Sequence, residues 1–500
     1  MAGIGVKLNK IFEKRSITAD LVGFTYSTVA TAAPMFLVIL TIILMQHVLG
    51  FEGADYQARE LFFCTVLYVF IFALLTASPF NAVLSKYVHD AIFEERYQDI
   101  LPCYYLGLVL NVALSFLLGV PFCLWEHFVG GVGVFYVFIS FCAYMILMLV
   151  FYSMLYLSVA KDYQKISLFF LIGMAAAFLV AYILREWLSW EIGESMLFGL
   201  SVGFLLIAVM EFATIKRYFV KNSNRYKPVL GYFRKWWKLV LTNFLYTLGL
   251  YIHNFVFWTT DMHVVVVKSF VCCWPYDMAS CLAMFTNISA TVIFIARIEM
   301  HFHEKYKAYS EAIIGGKKAD IENAKSRLFR HISGELMSLV RVQFIISVVI
   351  YLLCVVFLPQ FGFAGMVMRI YPCLAAGYFI LFIMYAVILF LYYFDDLTGA
   401  VLATLSFCLV TLIGSIFATR LDEIWYGLGA LLGSLAGWSV AYMRLRWVER
   451  NMDTHIFCRG LLLKREYGPK PSGLVYEKAY KAENDTKKDG GEWEQPAMQK

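Results

Sequence analysis

Five hundred residues would ordinarily fold as several soluble domains, yet 61% of this chain is hydrophobic and only 16% is charged. A soluble domain carries about a quarter of its residues as charged side chains, so water is excluded as the solvent for most of the chain and lipid replaces it. The net charge of +6 is not gathered into one basic domain but spread through the gaps between apolar runs, so no nucleic-acid partner is expected.

Residues 1–20 are charged and lack the apolar core of a signal peptide, so the first long apolar run is expected to serve as an uncleaved anchor. Ile4, Leu8, Ile11 and Phe12 share one helical face, with Lys7, Lys10 and Lys14 gathered elsewhere. That pattern predicts an amphipathic helix lying among lipid headgroups, with a short flexible lead as the alternative. Runs of about twenty mostly apolar residues, enough to cross the hydrocarbon, follow near 21–49, 61–88, 101–125, 132–160, 166–186, 196–219, 239–258, 271–297, 341–359, 366–393, 398–418 and 424–443. The fold class is therefore all-α and polytopic, with about twelve transmembrane helices.

Lys and Arg mark the cytoplasmic side of a membrane protein. With a cytoplasmic N-terminus, all 42 of them fall on that side except Arg59, Arg185, Lys268, Arg369 and Arg420. Both termini are thus expected in the cytoplasm, with the chain in the inner membrane. The basic segment 220–238 divides the runs into a six-helix lobe over 21–219 and another over 239–443. Within the second lobe, 298–340 reads as two polar helices on the cytoplasmic side, broken at Gly315-Gly316. Residues 444–500 form a cytoplasmic tail, expected to be disordered from about 466 because it is rich in Lys, Glu, Asp and Gly.

Polar groups inside spans either line a cavity or join helices. In the seventh run Asn243, Thr247, Tyr251, Asn254, Trp258 and Asp261 recur at intervals of three or four, flanked by Tyr246 and His253. The spacing places them on one helical face, which suits either a hydrated path contacting sugars or a packed interface. The eighth run adds Asp277, Ser280 and Asn287, with His253 and Lys268 as conceivable partners of Asp277. Thr28, Thr31 and Pro34 make the first run small and bendable, and Asn81 follows Ser78-Pro79 in the second. These residues are the substrate-cavity candidates.

Catalytic signals are weak, and no cofactor or metal is expected. No phosphate-cradling glycine loop or nucleophile elbow occurs. His301 and His303 diverge on a helix, and Asp395-Asp396 reads as a solvated turn. The cysteines lie within or beside apolar runs, where they act as small hydrophobes, and no disulfide framework is visible.

The opening Met1-Ala2-Gly3-Ile4-Gly5 with Leu8 resembles that of the Pel exopolysaccharide transporter family (PelG), within the multidrug/oligosaccharidyl-lipid/polysaccharide flippase superfamily. Three further stretches are similar. They are Tyr276-Asp277 followed by Phe294, Arg297, Glu299, Phe302, Tyr306, Tyr309 and Gly315-Gly316; Tyr393-Phe394-Asp395-Asp396 with Gly399-Ala400; and Met452-Asp453-Thr454-His455-Ile456-Phe457-Cys458. The resemblance implies a non-enzymatic exporter of an amino-sugar-rich exopolysaccharide across the cytoplasmic membrane. Its implied partners are the polysaccharide, a cytosolic glycosyltransferase using UDP-sugars, and membrane proteins including one that senses cyclic di-GMP. The rival expectations are a flippase for lipid-linked oligosaccharide, an ion-coupled multidrug exporter and a membrane enzyme.

Overall fold

The computed structural model describes residues 17–160, 162–293, 299–357, 359 and 365–452; the side chains of 17–32, 163, 286–293, 299–301, 303 and 304 stand outside that description. So do residues 1–16 of the amphipathic helix expected over 1–20, and the tail from 453. Contacts divide the chain into one compact unit to Leu445 and a second from Arg446. The second is described only to Met452, as helix bearing an Arg446–Glu449 ion pair of 2.6 Å.

The first half contains α1 (Ile17–Val48), α2 (Tyr56–Phe93), α3 (Ile100–Phe128), α4 (Val134–Val159), α5 (Tyr163–Glu186) and α6 (Ile192–Tyr218). A short helix, α7 (Lys227–Lys235), follows. The second half contains α8 (Trp237–Phe257), a hairpin of β1 (Val264–Val266) and β2 (Phe270–Cys272), α9 (Trp274–Ile293), α10 (Glu299–Gly315), α11 (Lys318–Phe357), α12 (Met366–Tyr393), α13 (Leu397–Ala418) and α14 (Leu428–Met452). Among the described residues ten helices are long and apolar enough to cross a membrane: α2 to α6, α8 and α11 to α14. The other two expected runs fall on α1 and α9. The chain is a multi-pass membrane protein.

Local chemistry sets several boundaries. The side chains of Asp55, Asp162 and Asp396 accept from Gln57 N, Lys165 N and Gly399 N at 3.3, 3.4 and 3.1 Å, capping α2, α5 and α13, because the first turn of a helix leaves its N–H groups without partners. The break at Gly315-Gly316 falls where expected. Beyond it, however, α11 runs unbroken from polar sequence into the ninth apolar run, since no proline interrupts residues 318–357. The eighth run also differs: residues 270–272 pair antiparallel with 264–266, and the helix starts only at Trp274.

Small residues bring helices close. A Cβ on Gly203 would lie 2.6 Å from Gly173 O, and one on Gly199 2.6 Å from Ala177 O. The α5–α6 contact therefore depends on the missing side chains, as lipid-embedded helices require when packing replaces hydrophobic drive. One apolar core gathers buried side chains from Val38 to Val229, so α7 belongs to the first half's core. Its basic residues remain at the surface, while Val229 is fully buried and Tyr232 donates to Asp90 Oδ2 at 3.2 Å.

Candidate functional site

The two halves meet along a seam where α2 faces α8 and α1 faces α9. Midway along it, Pro79 has no N–H to offer the carbonyl of Leu75. Ser78 Oγ takes that carbonyl at 3.0 Å, and Asn243 Nδ2 crosses from α8 to donate to Ser78 O. Towards the hairpin, Phe72 stacks on Phe255 at 6.0 Å and Tyr68 on Trp258 at 4.9 Å with only 4° between the rings. Phe270 meets Tyr68 edge-on at 4.9 Å, and the Tyr68 hydroxyl donates to Val271 O at 2.8 Å while accepting from Val271 N at 3.2 Å. The indole of Trp274 donates to Glu60. Aromatic rings and the hairpin thus close the seam at this end.

Behind Trp258 lies a polar network made by α8, α9 and α12. Asp277, 4% exposed, accepts from Asn254 Nδ2 at 2.7 Å, Trp258 Nε1 at 3.0 and 3.1 Å, and Cys273 N at 2.9 Å. His253 contacts the hydroxyls of Tyr276 at 2.9 Å and Tyr378 at 3.3 Å, and Tyr378 reaches Ser280 at 3.1 Å. A carboxylate in hydrocarbon is tolerated when donors surround it. Asp277's partners are therefore neither His253 nor Lys268, the two anticipated, but an amide, an indole and a backbone N–H. The effect is to hold the Trp258 ring flat against Tyr68 of the opposite half.

The structure brings together His253, Asn254, Trp258 and Asp277, and sets Asn243 apart on the seam. Thr247 is buried and donates to Asn243 O at 3.0 Å along its own helix. Tyr246 meets Tyr385 at 4.9 Å with the rings tilted by 34°, inside the second half, and Tyr251 is half-buried on α8. Asn81 is half-buried, with its Oδ1 enclosed and unpartnered. Asp261 is a correction: α8 ends at Phe257, so Asp261 sits in an exposed turn rather than on the helical face. The side chains of Thr28, Thr31 and Asn287 lie outside the described residues. Asp396 is a second correction. It is not solvated but 2% exposed, and it takes two hydrogen bonds from Arg444 at 2.9 and 2.8 Å.

Two acidic residues escaped the sequence reading. Glu126 is 1% exposed with Oε1 unpartnered, and Glu211 is fully buried with neither oxygen partnered. An acidic residue inside an apolar run, as Glu211 is, or at the very end of one, as Glu126 is, was the available signal. Glu126 borders a cavity of about 510 Å³ between α2, α3 and α4, lined by Tyr68, Phe72, Thr76, Phe122, Phe141 and Tyr144 and closed on the second-half side by Phe244 and Phe270.

Comparison with known proteins agrees with this architecture. A family model described as "PelG: Putative exopolysaccharide Exporter (EPS-E)" matches residues 1–457. No curated protein matches in sequence. Among solved structures, the chain is similar to an inward-facing multidrug-resistance transporter of the MATE family in the MOP superfamily. The TM-score is 0.56 at 12% identity, over 85% of this chain and 99% of the other. An outward-facing transporter of that family gives 0.55 at 13%, over 84% and 96%. At such identity the likeness concerns the fold.

Proposed function

The chain belongs to the PelG exopolysaccharide exporter family, and from that membership we propose that it moves an amino-sugar-rich exopolysaccharide across the cytoplasmic membrane. The match over residues 1–457, nearly the whole chain, carries this reading. The polymer path runs along the seam between the halves, whose membrane-spanning parts are 21–219 and 239–443. Aromatic faces there stack on sugar rings, and Asn243 supplies a polar contact midway. The scarcity of Lys and Arg beside the hairpin supports an orientation with that end outside and α7 in the cytoplasm, both termini being cytoplasmic as well.

The Tyr68–Trp258 stack then forms the outer closure, and Asp277 acts on the polymer indirectly by fixing Trp258. The chain works as the transporter of a synthase-dependent complex. A cytosolic glycosyltransferase feeds it polymer from UDP-sugars, and a cyclic di-GMP-sensing membrane protein regulates it. Replacing Asp277 and Asn254 together by Ala should lower polymer secretion severalfold while the protein still reaches the membrane, as read by immunodetection of both. Normal secretion would remove the network from the transport cycle. The cavity beside Glu126 favours a second reading, an ion-coupled exporter of amphipathic cations. Gradient-driven dye efflux by the purified, reconstituted protein would support it.

A further inference from the structure

Cys64 on α2 and Cys272 at the end of β2 lie 208 residues apart, one in each half, yet the Cys64 thiol donates to Cys272 Sγ at 2.9 Å. Neither is exposed. The surroundings hold them in register: Val266 and Phe270 pack around Cys64, and the Tyr68 hydroxyl grips both polar groups of Val271, the residue before Cys272. Both strands of the hairpin pack against α2, so the two sulfurs cannot drift apart without undoing that interface. Among the described residues no group of three or more His, Cys, Asp or Glu could hold a metal ion, which leaves chemistry between the two sulfurs themselves.

We propose that Cys64 and Cys272 form a disulfide that ties the hairpin of the second half to α2 of the first. The inference rests on the orientation given above, which puts the hairpin on the outer, oxidising side of the membrane where disulfides persist. The bond forms by exchange with an oxidised dithiol donor, before docking buries the sulfurs. One thiolate attacks the donor's disulfide and releases one donor thiolate; the second cysteine's thiolate then attacks the protein sulfur of the mixed disulfide and expels the donor's other thiolate. The pair loses two protons and two electrons, and the donor leaves as a dithiol. Once formed, the bond makes α2 and the hairpin move as one piece, so the outer end of the seam opens elsewhere along its length.

A site for a sequence-specific protease inserted after Lys221, in the exposed non-helical stretch before α7, separates the two cysteines onto different fragments. Full-length protein is alkylated in intact cells, then solubilised, cleaved and run on denaturing gels. The expected result is a single joined species without reductant and two fragments with it. Cys64→Ser and Cys272→Ser should each give two fragments under both conditions, whereas Cys273→Ser should stay joined. Two fragments from the unmutated pair without reductant would overturn the proposal.

Orientation is read separately. In a Cys64→Ser/Cys272→Ser background, Val265→Cys, at the one exposed position of β1, should add a reaction with a membrane-impermeant maleimide in intact cells in which that reagent reaches the outer face of the cytoplasmic membrane. If that label fails, the orientation is wrong. If it succeeds and the fragments still separate, the disulfide alone is wrong.

Discussion

Two buried acids, one in each half, are held in opposite ways. In the second, Asp277 is ringed by Asn254, Trp258 and the Cys273 N–H. In the first, Glu211 on α6 is equally enclosed and has no donor at either oxygen. Burial alone therefore does not say what an intramembrane carboxyl is for; its partners do. A fully satisfied group is helix–helix glue, whereas an unsatisfied one costs stability and points to a task outside folding. Asp277's task is to hold the ring that closes the seam. Glu211 gives the fold nothing visible.

That contrast is open to direct attack. Asp277→Ala strands three donors at once, and a buried donor left without an acceptor costs about 1–3 kcal/mol. Melting of the detergent-solubilised protein should therefore shift down by several degrees, and Asp277→Asn, which keeps one acceptor oxygen, should recover part of the loss. Glu211→Leu has no hydrogen bond to break and removes an unpaired polar group. It should be neutral or stabilising by about 1 kcal/mol. A loss matching that of Asp277→Ala would erase the distinction between the two acids.

Asp162, outside the spans, sharpens the scale at its small end. Burial works to raise its pKa, but hydrogen bonds from Tyr218 and Lys165 outweigh that and hold it below the usual value of 3.8. A depressed folded pKa stabilises above the unfolded value and is lost as pH falls through the folded one. Asp162→Asn should thus cost under about 1 kcal/mol at neutral pH, as a partly solvated pair does. The difference from wild type should vanish in melts taken well below pH 4.

Much of the fold was legible in composition and periodicity. Each of the twelve expected apolar runs meets a helix, and the break within the polar segment stands at Gly315-Gly316, as expected. Boundaries were harder. Val271 and Cys272 read as the start of the eighth span, and only the pairing of Phe270–Cys272 with Val264–Val266 turns them into part of a hairpin. Asp261 fitted a helical interval, but periodicity does not announce where a helix stops, and α8 stops four residues earlier.

The sequence by itself determined that this chain lives in lipid, roughly how often it crosses, and that its seventh and eighth spans carry polar stripes. These follow from local quantities: length of apolar run, placement of Lys and Arg, and spacing along a helix. Only the tertiary structure decided that the Asp277 stripe turns inward to α12 while Trp258 faces Tyr68. It alone set Cys64 against Cys272 and left Glu211 without a donor. A helical pattern states which residues share a face; which neighbour that face meets depends on packing between distant segments, and no local spacing encodes it.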